Sequence, residues 1–548
     1  MGGGWAAGGA DGGAPARDGA HRRTGAPSAR HNDAVHDNNT DPAPGPGSGS
    51  GDHQLAAPLP SPPPAATPAG IAASHHGTAA LQQRYGPGYR WWVLLTLMVG
   101  TMASIMASTI INVAVPDMSR VFTLGQERAQ WLSAGFMAAM TLSMLTTPWL
   151  LQRYGYRHAY AGAVALLLAG GVTGGLASHF ELVLAMRVAE GLAAGVLQPI
   201  PAIVILRAFS QNEQGRAMGI FGFGVVLAPA IGPSVGGVLV EWFGWRSIFF
   251  VVVPFCLLAL ALARRYLPVA APGGLAPERG SAGATPLDLR GLALVSAAVL
   301  LLLNGMVQLH GATPWLGGAV LAGCALTTGV LLHHLRRSER PLMQLGLFGH
   351  RNFSLGGVVA FIYGMALFGS TYLVPVFMQI ALKLPPSQAG AVLLPAGLVL
   401  AVTIPLVGRL ADSAHLGRLV AVGLVLLAAS FLLMIGVGPA TPLAWITLWA
   451  VVGRIGLGFV LPSLNLGAMR GLPHHLISHG SSTINFMRQL GGAVGISLVG
   501  IVLEWRLQAL PADPMLAFHQ TFGLVGAITG VSLLAALRMQ PAAAAGGD

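Results

Sequence analysis

Residues 91–115 read WWVLLTLMVGTMASIMASTIINVAV, a stretch of apolar and small side chains without a single charge. About 20 apolar residues in an α-helix cross the hydrocarbon core of a bilayer. A backbone inside lipid must close its own hydrogen bonds within helices or closed barrels, because no water is available there. A stretch this long and continuous excludes a barrel strand. It predicts a membrane-spanning helix.

Thirteen further stretches of the same kind follow, and most are separated by short polar loops. Together they predict an all-α polytopic membrane protein with 14 transmembrane helices. The predicted spans are residues 91–115, 130–151, 159–177, 182–206, 217–240, 247–263, 292–309, 315–332, 355–380, 389–410, 419–437, 443–469, 483–503 and 522–537.

Composition agrees with a membrane protein and excludes several other classes. Of 548 residues, 53% are hydrophobic and only 9% are charged, against roughly 25% charged in soluble domains. The net charge of +11 does not indicate a nucleic-acid partner, because no basic stripe is interleaved with aromatic side chains. Cys256 and Cys324 both fall within predicted spans, which supports neither a disulfide framework nor a metal site. We expect no metal and no cofactor.

The two ends of the chain have a different composition. Residues 1–85 contain low-complexity runs such as PAPGPGSGSG at 42–51 and PLPSPPPAATPAG at 58–70. Such a segment buries too little apolar surface to offset its ordering entropy, and it lacks the apolar region of a signal peptide. We interpret it as a disordered cytoplasmic tail, with its histidines solvated rather than metal-bound. Residues 539–548 are predicted to be a second disordered tail.

The arginines predict the orientation. With a cytoplasmic N-terminus, the opposite side receives only five basic residues in its loops, namely Arg120, Arg128, Arg246, Lys383 and Arg506. Positive charge accumulates on the cytoplasmic side of membrane proteins, so we expect a multi-pass protein of the cell (inner) membrane with both termini in the cytoplasm. The cytoplasmic loops then hold fifteen: Arg153, Arg157, Arg207, Arg216, Arg264, Arg265, Arg279, Arg290, Arg336, Arg337, Arg340, Arg351, Arg409, Arg418 and Arg470.

The fifth predicted span contains the most specific motif, GFGVVLAPAIGPSVGG at 222–237. Regularly spaced glycines make a smooth helix face that a neighbouring helix can approach closely, and prolines bend the helix. Tight packing alone would account for the motif. However, Gly-Pro followed after two residues by Gly-Gly resembles the antiporter motif of exporters in the major facilitator superfamily. The residues that carry the resemblance are Gly224, Pro229, Gly232, Pro233, Gly236 and Gly237.

Two loops resemble the cytoplasmic gate motif of the same superfamily. GRLAD at 408–412, between spans 10 and 11, supplies Gly408, Arg409 and Asp412. RYGYR at 153–157, between spans 2 and 3, supplies Arg153, Gly155 and Arg157. This second copy is degenerate, since Pro148 and Gln152 stand where the motif usually has Gly and Asp.

Two further motifs narrow the resemblance. STIINVAVP at 108–116 and NFMRQLGG at 485–492 are similar to elements of the drug:proton antiporter-2 family, the fourteen-helix EmrB/QacA-type exporters. The resemblance covers about residues 90–538. It implies a major facilitator fold with six-helix bundles at 86–268 and 336–538, a cytoplasmic loop at 269–288 and two inserted helices at 289–335. Bundles of this superfamily contain inverted repeats around a midplane site that opens alternately to each side.

One departure concerns proton coupling. Members of the family usually have Asp immediately before the Ser-Thr of span 1, and this chain has Ala107. Glu190 is the only acid well inside a predicted span, and it lies three residues after Arg187 on the same helix face. Charges inside a membrane are functional candidates by default. Two interpretations stay open, a structural ion pair and a proton-coupled switch.

Several other polar and aromatic residues are candidates for the central cavity. Each amide or arginine in the group has a second interpretation, in which it satisfies a kinked backbone. The two tyrosines are candidates for stacking on a planar substrate, although an aromatic stripe is more often core. The candidates are Asn112, Gln198, Tyr363, Tyr372, Asn485, Arg488 and Gln489.

The leading functional hypothesis is a proton-coupled secondary exporter of amphipathic small molecules, of the multidrug efflux type. A second hypothesis is an exporter of an organic anion such as an aromatic acid or fatty acid, because embedded arginines outnumber embedded acids. A membrane enzyme or sensor is disfavoured, since no nucleotide loop, HExxH motif or compact acid dyad is present. Expected partners are the lipid bilayer, a small-molecule substrate and protons. A periplasmic adaptor with an outer-membrane channel is a further hypothesis from the resemblance.

Overall fold

The computed structural model describes residues 78–86, 88–123, 126–269, 286–309 and 314–539. These residues form sixteen α-helices joined by short turns and 3₁₀ segments. In the first part of the chain the helices are α1 Thr78–Tyr85, α2 Tyr89–Val121, α3 Gln126–Ser143, α4 Thr147–Leu176, α5 Phe180–Leu197, α6 Ile200–Ala208, α7 Gln211–Phe243 and α8 Ser247–Tyr266.

The second part of the chain continues the pattern. Its helices are α9 Leu289–Gln308, α10 Pro314–Arg337, α11 Arg351–Ile380, α12 Pro386–Ser413, α13 Leu416–Met434, α14 Leu443–Met469, α15 Ile477–Ala509 and α16 Pro514–Leu537. Short 3₁₀ segments precede α4, α11 and α15. We call the end of the helices that carries Arg153, Arg207, Arg265 and Arg409 the arginine-rich end.

The helices have the length and apolar character of membrane spans, which confirms the prediction of an all-helical multi-pass membrane protein. The described residues contain 12 candidate spans. One of them, Trp131–Leu176, has 46 residues, about twice the length that crosses a bilayer. Within it Gly155 has φ 77° and ψ 170°, a conformation that glycine adopts without a Cβ clash. The count of fourteen stays a prediction.

The buried apolar side chains form two main clusters. One draws on residues 81–267 and adds Ile477 from α15. The other draws on residues 347–536. We refer to the two groups of helices, α2–α8 and α11–α16, as the first and second halves. Each half has its own core, and a smaller buried apolar cluster joins the halves, with Ile205 and Met218 of the first half in the same cluster as Leu416 and Leu466 of the second.

Glycines bring helices of the second half into close contact. In α11 and α15, a Cβ at Gly495 would come within 2.6 Å of Met365 Cα. In α13 and α14, a Cβ at Gly423 would come within 2.7 Å of the Gly456 carbonyl oxygen. Such close helix contacts replace the hydrophobic driving force that is weak between helices in lipid.

The predicted tails and loop are only partly described. Residues 1–77 and 540–548 lie outside the described residues, as do 270–285 of the predicted loop. The last eight residues of the predicted N-terminal tail form helix α1. Leu81 is 2% exposed, and the Tyr85 ring lies 5.0 Å from that of Tyr266. Met539, at the start of the predicted C-terminal tail, is also buried. Apolar contacts with the bundle therefore order both segments.

Helices α9 and α10, the predicted inserted pair, lie at the edge of the helix assembly. They pack on each other and contact the rest of the chain through a small apolar cluster that includes Leu145 and Phe486. Only 28% of the apolar window of α9 and 11% of that of α10 is buried against protein. Most of this pair therefore faces lipid.

Candidate transport site

A buried ion pair lies in the core of the first half. Arg187 Nη1 donates to Glu190 Oε2 at 2.6 Å, and the two residues are 2% and 1% exposed. Arg187 also donates from Nη1 to the Ala107 carbonyl at 3.1 Å and from Nε to the Leu132 carbonyl at 3.3 Å. Its guanidinium lies 4.3 Å from the centroid of the Phe136 ring. Helices α2, α3 and α5 thus meet at Arg187.

The pair lies beside Ala107 of α2. Ala107, Arg187 and Glu190 line the same small cavity of about 10 Å³. A Cβ at Gly170 of α4 would come within 2.7 Å of Glu190 Cγ, so glycine leaves the space that the acid occupies. Arg187 Nη2 is buried and has no hydrogen-bond partner among the described residues. Nη2 of the guanidinium is therefore available to donate a hydrogen bond.

The core of the second half contains two arginines without an acid. Arg454 on α14 and Arg488 on α15 form no ion pair in the described part of the chain, and both interact electrostatically with the phenol of Tyr363 on α11. Tyr363 is 3% exposed, and its hydroxyl donates to the Leu457 carbonyl at 3.4 Å. The two halves therefore differ in charge, with a balanced pair in the first and an excess of positive charge in the second.

Three of the predicted cavity residues lie together on α15. Arg488 Nη2 donates to Asn485 Oδ1 at 2.8 Å, and Asn485 Nδ2 donates to the Ser481 carbonyl at 2.9 Å. Gln489 Nε2 lies 3.8 Å from Met137 Sδ on α3 of the first half. This face of α15 therefore extends from the buried arginines of the second half, Arg454 and Arg488, to the boundary between the halves.

The structure does not bring the remaining cavity candidates to the cluster around Arg488. Asn112 is exposed and accepts a hydrogen bond from Ser133 Oγ at 2.9 Å, within the first half. Gln198 is half-buried at the end of α5. Tyr372 is 39% exposed whereas Tyr363 is buried, because nine residues along a helix lead to the opposite face.

Helix α7, which carries the antiporter-like motif, presents glycines to two different helices. Towards α2 of its own half, a Cβ at Gly224 would meet Met98 Cγ at 2.6 Å, and one at Gly232 would meet Thr109 Oγ1 at 2.9 Å. Gly236 faces Ile110 of α2 in the same way, while Gly237 has only Val113 at 3.9 Å. The side chains of Pro229 and Pro233 lie outside the described residues.

The face of α7 towards the second half was not singled out from the sequence. A Cβ at Gly219 would lie 3.0 Å from Gly408 Cα on α12, and one at Gly408 would lie 2.5 Å from Gly219 Cα. A Cβ at Gly222 would meet Ile404 of α12. The four-residue spacing of Gly215 and Gly219, which favours close helix contacts, is the sequence signal that indicates this face.

The gate motif at 408–412 lies at the same contact. The carboxylate of Asp412 accepts a hydrogen bond from the Gly215 amide at 2.6 Å and another from the Arg216 amide at 2.9 Å. Arg409 is exposed, and the Arg216 guanidinium lies 5.3 Å from the centroid of the Trp91 ring. Asp412 therefore ties α12 of the second half to α7 of the first half at the arginine-rich end.

The degenerate gate motif at 153–157 makes a contact within its own half. Tyr156 donates its amide to the Val269 carbonyl at 3.2 Å, just beyond α8, and Gly155 provides the turn. Arg153 is exposed and Arg157 is half-buried. The position that corresponds to Asp412 holds Gln152, which has no negative charge with which to hold amide donors of the other half.

A second set of contacts joins the halves near this end, and sequence reasoning missed it. Arg207 Nη2 donates to the His474 carbonyl at 3.1 Å, and Ser481 Oγ donates to the Pro199 carbonyl at 3.0 Å. The partners lie 267 and 282 residues apart in the chain, so no local pattern relates them. These contacts and those of Asp412 close the arginine-rich end between the halves.

The chain is similar to a known family of proteins. A family model described as Major Facilitator Superfamily matches residues 97–496, which is most of the helical chain. The chain belongs to the major facilitator superfamily. It is therefore a membrane transporter of small molecules and not an enzyme. Superfamily membership also confirms the broader part of the resemblance that the antiporter-like and gate motifs indicated.

Curated relatives within the major facilitator superfamily are distant. The chain is 29% identical over 430 residues to a "Multidrug resistance protein B homolog" of Mycobacterium tuberculosis, covering 76% of this chain and 77% of that protein. It is 25% identical over 433 residues to the "Lincomycin resistance protein LmrB" of Bacillus subtilis, covering 77% and 88%. An uncharacterized transporter of the superfamily from Bacillus subtilis, YcnB, is 28% identical over 411 residues, covering 74% and 85%.

Solved structures of the superfamily share the fold. The human organic anion transporter MFSD10 (TETRAN) matches with a TM-score of 0.59 at 16% identity, covering 82% of this chain and 99% of that one. The proton:xylose symporter XylE matches with a TM-score of 0.58 at 13% identity, covering 82% and 95%. At these identities the likeness establishes the major facilitator fold and carries no information on the substrate.

Proposed function

We propose that this transporter is a fourteen-helix exporter of the drug:proton antiporter-2 type, which expels amphipathic small molecules in exchange for protons. The distant relatives named multidrug resistance protein B homolog and LmrB support an export function. The motifs in α2, α7 and α15 support the same family. Alternating access between the two halves is the mechanism that the fold favours.

The proposed topology has fourteen spans with both termini in the cytoplasm of a cell (inner) membrane. Division of the 46-residue span at the Gly155 turn, together with the 33-residue α7, supports the number fourteen. The concentration of arginine at one end supports the orientation. In this topology the arginine-rich end is cytoplasmic, and the structure is closed on that side.

One observation supports Glu190 as the proton-coupling residue. Its carboxylate pairs with Arg187, which in turn binds the carbonyl of Ala107, the position of the missing family acid. In this proposal Glu190 therefore replaces the acid that the family usually has in span 1. A carboxylate paired with arginine in a low dielectric changes its proton occupancy when water gains access or the pair separates. Opening of the first half to one side would provide that access.

The test of this proposal is Glu190→Gln in reconstituted vesicles. The variant keeps the shape and hydrogen-bonding capacity of the side chain but cannot titrate. We expect substrate binding to persist and transport driven by a pH gradient to be lost. Because Arg187 loses its counter-charge, about 3–5 kcal/mol of stability is also at risk, so the amount of folded protein in the membrane must be measured first.

A matched control is available on the same helix. Glu181 of α5 pairs with Arg128 at the exposed opposite end of the molecule, so Glu181→Gln removes an acid without affecting the buried site. Gradient-driven export should survive in this control. Normal gradient-driven export by well-folded Glu190→Gln would reject the coupling role and leave Arg187–Glu190 as a structural ion pair.

A second candidate function, export of an organic anion, is favoured by Arg454 and Arg488. These two guanidinium groups have no acid partner among the described residues, and an anion would balance them. Vesicle transport of an amphipathic cationic dye and of an aromatic carboxylate, measured side by side, distinguishes the two. Transport of the carboxylate alone would replace the multidrug proposal with this one. Specific tripartite partners stay a hypothesis from the family resemblance.

A further inference from the structure

A cavity of about 510 Å³ opens between α9 and α10 at the arginine-rich end. Helix α9 begins there at Leu289 and α10 ends there at Arg337. The cavity therefore lies where the apolar spans give way to polar sequence, at the depth of lipid headgroups. Because this helix pair lies at the edge of the assembly, with little of its surface buried, the cavity is accessible from the bilayer.

The rim of this cavity is basic. Arg290 from α9 and His333 and Arg337 from α10 line it, and all three are exposed. None of the three forms an ion pair with an acid in the described part of the chain. Glu339, two residues beyond α10, is exposed and also has no ion pair there. The rim thus has unbalanced positive charge.

The acid nearest in sequence, Asp288, is bonded to His334, which also lines the cavity. Asp288 accepts hydrogen bonds from the Gly291 amide at 2.8 Å, the Leu342 amide at 3.1 Å and His334 Nε2 at 2.8 Å. Partial burial by itself raises the pKa of Asp288, but these hydrogen bonds outweigh it and hold the pKa below its usual value. Asp288 therefore orders the end of the helix pair and is hydrogen-bonded to His334, while Arg290 and Arg337 form no ion pair in the described part of the chain.

The wall of the cavity is apolar. Leu294 lies one helical turn deeper than Arg290 along α9, and Val330 lies two turns deeper than Arg337 along α10. A ligand that fits both parts has an anionic head at the rim and a hydrocarbon chain along the wall. Basic pockets between membrane helices bind anionic lipid headgroups through this combination.

We propose that the cavity between α9 and α10 binds an anionic phospholipid, with its phosphate between Arg290 and Arg337 and an acyl chain along Leu294 and Val330. The bound lipid would attach the edge helix pair to one leaflet of the membrane. This site is separate from the Arg187–Glu190 pair and does not depend on the identity of the transported substrate.

The experiment measures lipid binding to the full chain in detergent by native mass spectrometry. Phosphatidylglycerol should bind and phosphatidylcholine should bind much more weakly. Combining Arg290→Gln with Arg337→Gln should lower the affinity for phosphatidylglycerol about thirty-fold. This factor corresponds to a loss of roughly 1 kcal/mol of binding free energy for each arginine. The matched control combines Arg336→Gln with Arg340→Gln, which removes two nearby exposed arginines that do not line the cavity, and should leave the affinity unchanged.

Three results would overturn the proposal. Equal losses in the two double variants would indicate general surface electrostatics. Complete displacement of the lipid by inorganic phosphate would indicate a free-anion site instead. Undiminished binding by Leu294→Trp, which narrows the apolar part of the cavity but keeps the charges, would exclude the acyl-chain contact. Because Arg290 and Arg337 are exposed and have no ion pair, their replacement should leave the melting temperature unchanged.

Discussion

At the scale of single residues, Arg187 joins Glu190 to the backbone at Ala107, where the resembled family usually has an acid. The guanidinium uses Nη1 for Glu190 and for the Ala107 carbonyl, and Nη2 has no hydrogen-bond partner within the described residues. An uncompensated buried donor costs about 1–3 kcal/mol. In the proposed coupling scheme, Glu190 on α5 supplies the carboxylate that the resembled family has on α2.

The proposed exchange of acids predicts a rescue. Ala107→Asp combined with Glu190→Gln returns a carboxylate to the cavity that Ala107, Arg187 and Glu190 share. Gradient-driven export should reappear in this double variant to a measurable fraction of the wild-type rate. Ala107→Asn combined with Glu190→Gln has nearly the same shape but no titratable group, and it should stay inactive. Equal activity of the two double variants, measured as transport for each folded molecule, would show that charge at this place is not required.

At the scale of helices, α7 makes the closest backbone contact described between the two halves, with α12. Its glycines face α2 on one side and α12 on the other, and Gly219 and Gly408 allow the backbones of α7 and α12 to approach closely. The clash that a side chain would cause at this contact cannot be relieved by a rotamer change, since the neighbouring atoms belong to the backbone. Overpacking of this kind costs about 1–3 kcal/mol.

The contact between α7 and α12 predicts that Gly408→Ala lowers transport. The new Cβ would lie 2.5 Å from Gly219 Cα, so the halves must separate at the arginine-rich end, and the rate should fall about tenfold. Gly397→Ala is the control in the same helix, because a Cβ at Gly397 has no atom within 4 Å. Gly397→Ala should be neutral or slightly stabilising. Equal transport by both variants at equal membrane levels would contradict the packing argument.

At the scale of the whole molecule, the hydrogen bonds identified between the halves lie towards the arginine-rich end. They include Asp412 with the amides of α7, Arg207 with the His474 carbonyl and Ser481 with the Pro199 carbonyl. Because each half has its own apolar core, the halves can rock as rigid bodies when these hydrogen bonds and the smaller apolar cluster between the halves separate. Hydrogen bonds to a charged group are worth about 1.5–3 kcal/mol each, enough to bias such an equilibrium.

This arrangement predicts that Asp412→Asn shifts the molecule towards a state open at the arginine-rich end. Loss of the charge should weaken this contact by about 1.4 kcal/mol, which changes the ratio of the open to the closed state about tenfold. Spin labels on cysteines at Asn212 and Arg418, in a chain with Cys256 and Cys324 replaced by alanine, report the separation of the halves. The long-distance population should grow in Asp412→Asn. Asp513→Asn, which removes a charge at the N-cap of α16 alone, should leave the distances unchanged.

The sequence by itself determined the class of the molecule and the most informative motifs. Apolar stretches of bilayer length require helices, because a backbone in lipid has no other way to close its hydrogen bonds. The three-residue spacing of Arg187 and Glu190 placed them on one helix face, and the structure joins them. The two tyrosines Tyr363 and Tyr372 were predicted together as cavity residues, although their nine-residue spacing puts them on opposite faces of the helix.

Only the tertiary structure decided which helices these motifs contact. Three contacts join residues that are far apart in the chain. Arg187 donates a hydrogen bond to the Ala107 carbonyl, and Arg207 donates one to the His474 carbonyl. The glycines of α7 are divided between contacts with α2 and with α12. Helical periodicity specifies the face on which a residue lies but not the neighbour on that face. That neighbour depends on how all the helices pack at once, which no local pattern encodes.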